Sequence, residues 1–190
     1  GNVTAVVSID GQQFESREVT LTDGRIQLRV DEYRGGQVQL KIVDEAGRPL
    51  PAKVEFAGRT GTVTPRWAPE TAEYFVKNVA YTASGTVQAR LAAGEYDVTV
   101  SHGPEYNAEF MKLQVEAGGV TQRTVVLPRV VSTEGWVSAD FHSHSTPSGD
   151  NTSSQLGRVL NLAAEHVEFA PCTEHNRVST YADHLRTLQL

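Results

Sequence analysis

The sequence is poor in cysteine and in long apolar runs, and each shortage excludes a class of protein. Its 190 residues contain one cysteine, Cys172, so an internal disulfide is excluded, and the redox compartment stays open. No stretch approaches the roughly 20 consecutive apolar residues that a membrane-spanning helix needs. The sequence therefore predicts neither a disulfide-stabilised domain nor a membrane-embedded one.

Positive charge is also scarce. The chain has 17 lysine and arginine residues against 23 aspartate and glutamate residues, a formal net charge of -6 and no cluster of basic side chains. Nucleic acids and anionic membranes are bound by basic protein faces. We therefore expect neither a nucleic acid nor a membrane as partner. The hydrophobic content of 39% is ordinary for a globular protein.

Most of the chain, from residue 3 to residue 127, alternates apolar and polar residues in short runs. This period of two is typical of half-buried strands. Dipeptides with turn chemistry separate the runs, among them Asp23-Gly24 and Gly118-Gly119. Many short strands at this spacing predict an antiparallel β-sandwich or barrel. The clearest runs are Val38/Leu40/Ile42, Val87/Ala89/Leu91 and Tyr96/Val98/Val100.

The pattern changes after Pro128. Residues 136–144 predict one strand, and residues 167–173 predict a shorter second one. An apolar stripe at helical spacing lies between them, and a second helix follows after Ser179. The order strand, helix, strand, helix is typical of a parallel sheet or a β/α barrel. The residues of the two apolar stripes are Leu156, Val159, Leu160, Ala163 and Val167, then Tyr181, Leu185 and Leu188.

Candidate metal ligands are concentrated in this last part of the chain. Side chains alternate faces along a strand, so Asp140, His142 and His144 are expected to point the same way. Asp150 and the pair Glu174-His175 follow. Oxygen and imidazole ligands suit zinc, manganese or iron, and the sequence does not distinguish among these divalent ions.

These motifs resemble the PHP (polymerase and histidinol phosphatase) superfamily of metallohydrolases, in its CehA/McbA-like branch. The family motif Asp-Leu-His-x-His-Ser corresponds to residues 140–145, and Thr-Asp-His-Asn corresponds to residues 173–176. The resemblance implies that His142 and His144 bind a metal cluster and that Asp150 and His175 bind a neighbouring ion. It also implies that Asp140 orients an imidazole.

Glu174 stands where the family has aspartate. Two roles therefore stay open for it, a metal ligand or a group that orients His175.

Residues 38–56, with the turn Gly47-Arg-Pro49, and residues 91–100, with Gly94-Glu-Tyr96, resemble the carboxypeptidase-regulatory-like β-sandwich that often precedes such hydrolases in exported bacterial proteins. The two resemblances together imply an α+β chain with three parts. Residues 1–34 would be a leading β segment, residues 35–130 an antiparallel β-sandwich, and residues 131–190 the first two βα units of an incomplete PHP-type barrel. The resemblance also favours an extracytoplasmic location, periplasmic or secreted.

The implied reaction is hydrolysis of a phosphoester, or of a related ester or carbamate, by metal-activated water acting on a small-molecule substrate. No side chain is identified as a catalytic nucleophile. A β/α barrel takes roughly 250 residues, so we expect the active site in this chain to be incomplete and the chain itself to be inactive. The open barrel edge would favour self-association.

Two alternatives remain. The amidohydrolase superfamily also opens a barrel with His-x-His, although the single short helix between His144 and Glu174 favours the PHP reading. The other alternative is non-enzymatic, a β-sandwich binding or spacer module followed by a vestigial hydrolase segment. Metal binding would separate the enzymatic readings from this one.

Overall fold

The computed structural model describes residues 5–9, 12–16, 18–29, 34–67 and 73–190. Twelve strands and only two short α-helices lie within these residues, so the fold is mostly β. The strands within these residues are β1 Ala5–Ile9, β2 Gln12–Ser16, β3 Glu18–Thr22, β4 Arg25–Arg29, β5 Gly35–Val43, β6 Ala52–Arg59, β7 Phe75–Val76, β8 Val79–Thr82, β9 Thr86–Ala92, β10 Gly94–Ser101, β11 Glu109–Val115 and β12 Val120–Val126. The helices are α1 Gln155–Ala164 and α2 Ala182–Leu188.

Two sheets form a β-sandwich. One has the strand order β11-β10-β6-β8-β7, and the other has the order β12-β5-β9. All pairs within them are antiparallel except β12, which runs parallel to β5. The prediction of a purely antiparallel sandwich is wrong at this pair, because the chain crosses from one sheet to the other after β11 instead of continuing the hairpin within one sheet.

The core lies between the two sheets. Along β5 the predicted alternation is observed, since Val38, Leu40 and Ile42 are buried while Lys41 is exposed. Tyr96 is 1% exposed, and its hydroxyl donates a hydrogen bond to the Ala92 carbonyl at 2.9 Å. Burial raises the pKa of this hydroxyl to about 12, so Tyr96 ties the strand to its preceding turn as a neutral group.

The leading residues form two separate two-stranded antiparallel pairs, β1 with β2 and β3 with β4. Asp23 and Gly24 join the second pair with φ angles of 51° and 71°, which are typical of a tight hairpin turn. The turn predicted at this dipeptide is thus confirmed. The predicted runs that include Val3 and Val30 lie partly outside the described residues. The domain limits at residues 34 and 130 stay a prediction.

The prediction of an α+β chain with two βα units is wrong. Helices α1 and α2 form where the apolar stripes predict them, but neither residues 136–144 nor residues 167–173, all of them described, form a strand. The two segments meet at two isolated parallel bridges, Ala139 with Phe169 and Ser143 with Cys172. The structure therefore has the sandwich but no start of a barrel sheet.

Three local features explain why these segments do not become strands. The Asp140 side chain accepts a hydrogen bond from the His142 backbone N–H at 3.0 Å, which removes that donor from a ladder. Pro171 has no N–H to give. Trp136 and Phe141 remain 80% and 71% exposed, so no layer covers the pair, and a lone two-stranded pair has little stability of its own.

Helix α1 anchors the last part of the chain to the sandwich. Ser154 caps it by accepting the Gly157 N–H at 3.0 Å, and the same hydroxyl donates to Glu73 at 2.7 Å. At the other end, Glu165 forms an ion pair with Lys53 of β6. These contacts fix the helix whose first turn borders the candidate metal ligands. No helix in the described ranges is long and apolar enough to cross a membrane.

Candidate metal centre

Three of the predicted ligands meet in one cluster. One ligand atom each from His144, Asp150 and His175 lies within 4.8 Å of the others. Nδ1 of His144 is 3.2 Å from both carboxylate oxygens of Asp150, and Nε2 of His175 is 3.0 Å from Asp150 Oδ2. The His144 and His175 rings meet edge to face with centroids 4.6 Å apart. Asp150 thus bridges the two imidazoles.

This donor set fits a divalent ion. Two imidazole nitrogens and a carboxylate oxygen are the ligands that zinc accepts with an open fourth position, and manganese and iron accept the same types. Ligands of one tetrahedral zinc ion lie roughly 3.4 Å apart, close to the observed separations of 3.2 and 3.0 Å. Asp150 and His175 are 51% and 58% exposed, so an ion can reach them from solvent.

A short turn builds the cluster. Residues Thr146–Ser148 form one turn of 3₁₀ helix, which Gly149 ends with a φ angle of 75°. The Ser148 hydroxyl lies 3.1 Å from His144 Nδ1 and accepts the His175 backbone N–H at 3.0 Å. This hydroxyl therefore joins the two histidine segments close to their ligands, where Asp150 also links them.

The Asp150 carboxylate is held in its charged form. Hydrogen bonds from Ser148 and His144 lower its pKa to about 2, with smaller contributions from the charges of the two histidines. A carboxylate that stays ionised across the neutral range is ready to bind a cation. The group is exposed, so this shift says more about binding readiness than about stability.

The fourth predicted ligand, His142, lies beside the cluster. Its ring centroid is 4.7 Å from that of His144, so the two rings are adjacent. His142 does not belong to the group whose ligand atoms lie within 4.8 Å. Asp140 contacts the His142 backbone N–H through Oδ1.

Glu174 points away from the cluster. Its carboxylate is buried, accepts the Ser145 backbone N–H at 2.9 Å and also accepts the Ser145 hydroxyl. Both oxygens are thus used to hold the loop after His144. The structure places Glu174 as a support for the ligand loop, outside the group formed by His144, Asp150 and His175.

A second set of contacts supports the same loop from below. Ser143 is buried and its hydroxyl lies 3.0 Å from the Tyr181 hydroxyl. Its backbone N–H donates to Thr173 Oγ1 at 2.8 Å, and its carbonyl accepts the Thr173 N–H at 3.1 Å. Burial raises the pKa of the neighbouring Cys172 thiol.

Sequence reasoning missed two residues of the site, Ser148 and Arg158. The Arg158 Nε donates to the His144 carbonyl at 2.9 Å, across from the ligand turn. The Pro147-Ser148-Gly149 turn was a usable signal, because a hydroxyl in a tight turn commonly bonds nearby groups. Arg158 gave no signal, since its contact depends on how α1 is placed.

No family model matches the chain, and no curated protein matches it. Solved structures that resemble part of the fold include the minor pilin GBS52 of Streptococcus agalactiae, at 16% identity, a TM-score of 0.40, 53% of this chain and 47% of that one. The Bacillus anthracis TIE protein is 18% identical with a TM-score of 0.37, covering 51% of this chain and 18% of the other.

Phospholipase PlaB of Legionella pneumophila is 14% identical with a TM-score of 0.39, over 65% of this chain and 31% of that enzyme. The chain spans less than half the length of each of these three proteins. The two sheets themselves identify the β-sandwich, and no family follows from these similarities.

Proposed function

We propose that residues 140–176 bind a divalent metal ion through His144, Asp150 and His175 and belong to the active site of a metal-dependent hydrolase. The observation that carries the proposal is the convergence of two imidazoles and an ionised carboxylate within 4.8 Å. The resemblance of the motifs to the PHP metallohydrolases supports the same chemistry. The proposed substrates are phosphoesters or related esters and carbamates.

The roles of the residues follow from their contacts. His144, His175 and Asp150 would hold the ion. His142 lies next to His144, with ring centroids 4.7 Å apart. Ser148 positions His175 by accepting its backbone N–H, and Glu174 fixes the loop directly after His144. When bound, a divalent ion lowers the pKa of a coordinated water and polarises the oxygen of an ester.

Metal binding is the direct test, because it does not depend on turnover. Titration calorimetry with Zn²⁺ and Mn²⁺ on metal-stripped protein should detect one site or more. His144→Ala and His175→Ala should each weaken binding at least tenfold, since removing one of three ligands leaves a poor site. His184→Ala, a histidine on α2 outside the cluster, is the matched control and should bind like the wild type.

A second candidate function has its own observation. The separations of 3.2 and 3.0 Å also suit hydrogen bonds from imidazole N–H groups to Asp150. The continuous apolar core lies in the sandwich and not around this cluster. A non-catalytic β-sandwich module would keep this cluster without metal. In that case Zn²⁺ and Mn²⁺ would not bind, and His144→Ala would leave metal content unchanged.

A further inference from the structure

A cleft of about 410 Å³ opens beside the ligand cluster. Its walls include His142, His144 and Asp150, and on the other side Asn151 and Arg158. The cleft therefore contains the Arg158 guanidinium of α1, a permanent cation that cannot coordinate the proposed ion.

Arg158 is anchored by one end only. Its Nε donates to the His144 carbonyl at 2.9 Å, which fixes the plane of the guanidinium next to the ligand loop. In the part of the chain that the structure describes, no carboxylate lies within ion-pairing distance of it. The side chain is half-buried. It lines the cleft, and among the described residues its terminal amino groups have no hydrogen-bond partner.

The charges around the cleft favour binding of an anion once the metal ion is present. Two carboxylates line it, Asp140 and Asp150, and their combined negative charge balances the positive charge of one divalent ion. With the ion bound, Arg158 is left as net positive charge. Asn151 adds a neutral donor. Its Oδ1 accepts the Ser153 N–H at 2.8 Å, so its amide N–H groups are the part of the side chain that can donate to a ligand. The loaded cleft would therefore attract an anion.

We infer that Arg158 is the specificity-determining residue of this cleft and binds an anionic oxygen of the substrate, of phosphoryl or carboxylate type. The planar guanidinium matches such groups with two parallel hydrogen bonds, and charge-assisted bonds of this kind are stronger than neutral ones. A neutral ester lacking an anionic group would lose this contact. The inference rests on the proposed function for the reaction, but anion binding is measurable without turnover.

Phenylphosphonate, a non-hydrolysable oxyanion, is the probe. We expect it to bind the manganese-loaded protein in titration calorimetry and to bind Arg158→Gln at least about tenfold more weakly, a loss typical of one charge-assisted contact. Arg158→Lys, which keeps the charge but not the fork, should fall between. Arg177→Gln is the matched control, because Arg177 is exposed, two residues after His175 and outside the cleft wall.

The manganese affinity of each variant is measured first, and phenylphosphonate is then titrated at saturating Mn²⁺, so that a shift of His144 does not imitate lost anion binding. Equal phenylphosphonate affinity in wild type and Arg158→Gln, or no binding to either, would overturn the inference and leave the metal proposal intact. If Mn²⁺ does not bind, the proposed function fails. Arg158-dependent binding to the metal-free protein would then still support an anion contact at Arg158, whereas Arg158-independent binding, or no binding at all, would overturn the inference.

Discussion

The β-sandwich and the segment after it are stabilised by different kinds of contact. The sandwich buries a continuous apolar core between its sheets, with Phe56, Val54 and Leu91 fully inaccessible. The segment from residue 131 onward exposes large apolar side chains such as Trp136 and Phe141, and its buried contacts include many polar ones. Apolar burial is tolerant of small changes in geometry, whereas a polar network depends on a few atoms at fixed distances.

The largest expected effect tests the first half of this contrast. Phe56 is fully buried and meets the Trp67 ring edge to face, with centroids 5.5 Å apart. We expect Phe56→Ala to lower the free energy of unfolding by about 3–5 kcal/mol, through lost transfer energy and a cavity. Urea unfolding followed by tryptophan fluorescence measures it. The matched control is Phe141→Ala in the exposed segment, with a loss below about 0.5 kcal/mol. Similar losses would remove the contrast.

The strands of the sandwich could be predicted because alternation is a local property. Val38, Leu40 and Ile42 face one way in any sheet that buries them. The parallel pairing of β12 with β5 could not be predicted, because alternation says which face a residue occupies but not which strand lies beside it. Residues 136–144 alternate as well, and no strand forms there, since no layer covers Phe141 and Asp140 takes up a backbone donor.

The cluster of His144, Asp150 and His175 could be expected from motifs whose residue types carry the chemistry. The partner of Glu174 could not. Its carboxylate belongs to Ser145, a choice decided by how the loop folds and invisible in the spacing. The same holds for Arg158, which reaches His144 only because α1 is anchored at both ends on the sandwich.

Low pH should weaken the junction between the two regions. His102 is 3% exposed, and burial, together with the charge of His166, lowers its pKa to about 4, although a hydrogen bond to the Ala164 carbonyl and the nearby Glu105 and Glu165 oppose this. The unfolded chain, with an ordinary histidine pKa near 6.5, then binds the proton first. The contribution of uncharged His102 to the free energy of unfolding is therefore fully present above pH 6.5. It falls by about 2–3 kcal/mol as the pH is lowered toward 4.

Urea midpoints between pH 7 and pH 4.5 measure this effect. His102→Phe keeps an aromatic ring beside Tyr106 and His166, whose centroids lie 4.6 and 4.8 Å away, but cannot titrate. Its stability should change less over this range than that of the wild type. Protonation of Glu105 would add a further loss of stability only below pH 4.5. Burial raises the pKa of this carboxyl, but hydrogen bonds from Thr133 and Arg129 outweigh burial and lower it overall. An unchanged slope in His102→Phe would assign the effect to groups other than His102.

A methyl group added at Gly103 should loosen α1 from the sandwich without unfolding the sandwich. Gly103 has a φ angle of 67°, and a Cβ there would lie 2.2 Å from the Glu165 carbonyl oxygen at the end of α1. Gly103→Ala should cost about 2 kcal/mol and should speed amide exchange in α1 while β10 stays protected. Gly118→Ala carries the same backbone strain at a φ angle of 70°, but its Cβ meets open space. If both variants expose α1 equally, the clash with Glu165 is not the cause.

The smallest expected effect concerns one hydroxyl of the polar network. Ser148 accepts the His175 backbone N–H at 3.0 Å, so it positions one histidine of the proposed metal site, whereas its contact with His144 involves Nδ1, the atom that would bind the ion. Ser148→Ala should weaken Mn²⁺ binding by up to about tenfold, because the His175 backbone loses the hydrogen bond that positions this ligand, with little change in the urea midpoint. Ser179→Ala is the matched control, because its hydroxyl bonds Gln155 away from the cluster. An unchanged Mn²⁺ affinity in Ser148→Ala would mean that packing around the turn, and not its hydroxyl, sets the position of His175.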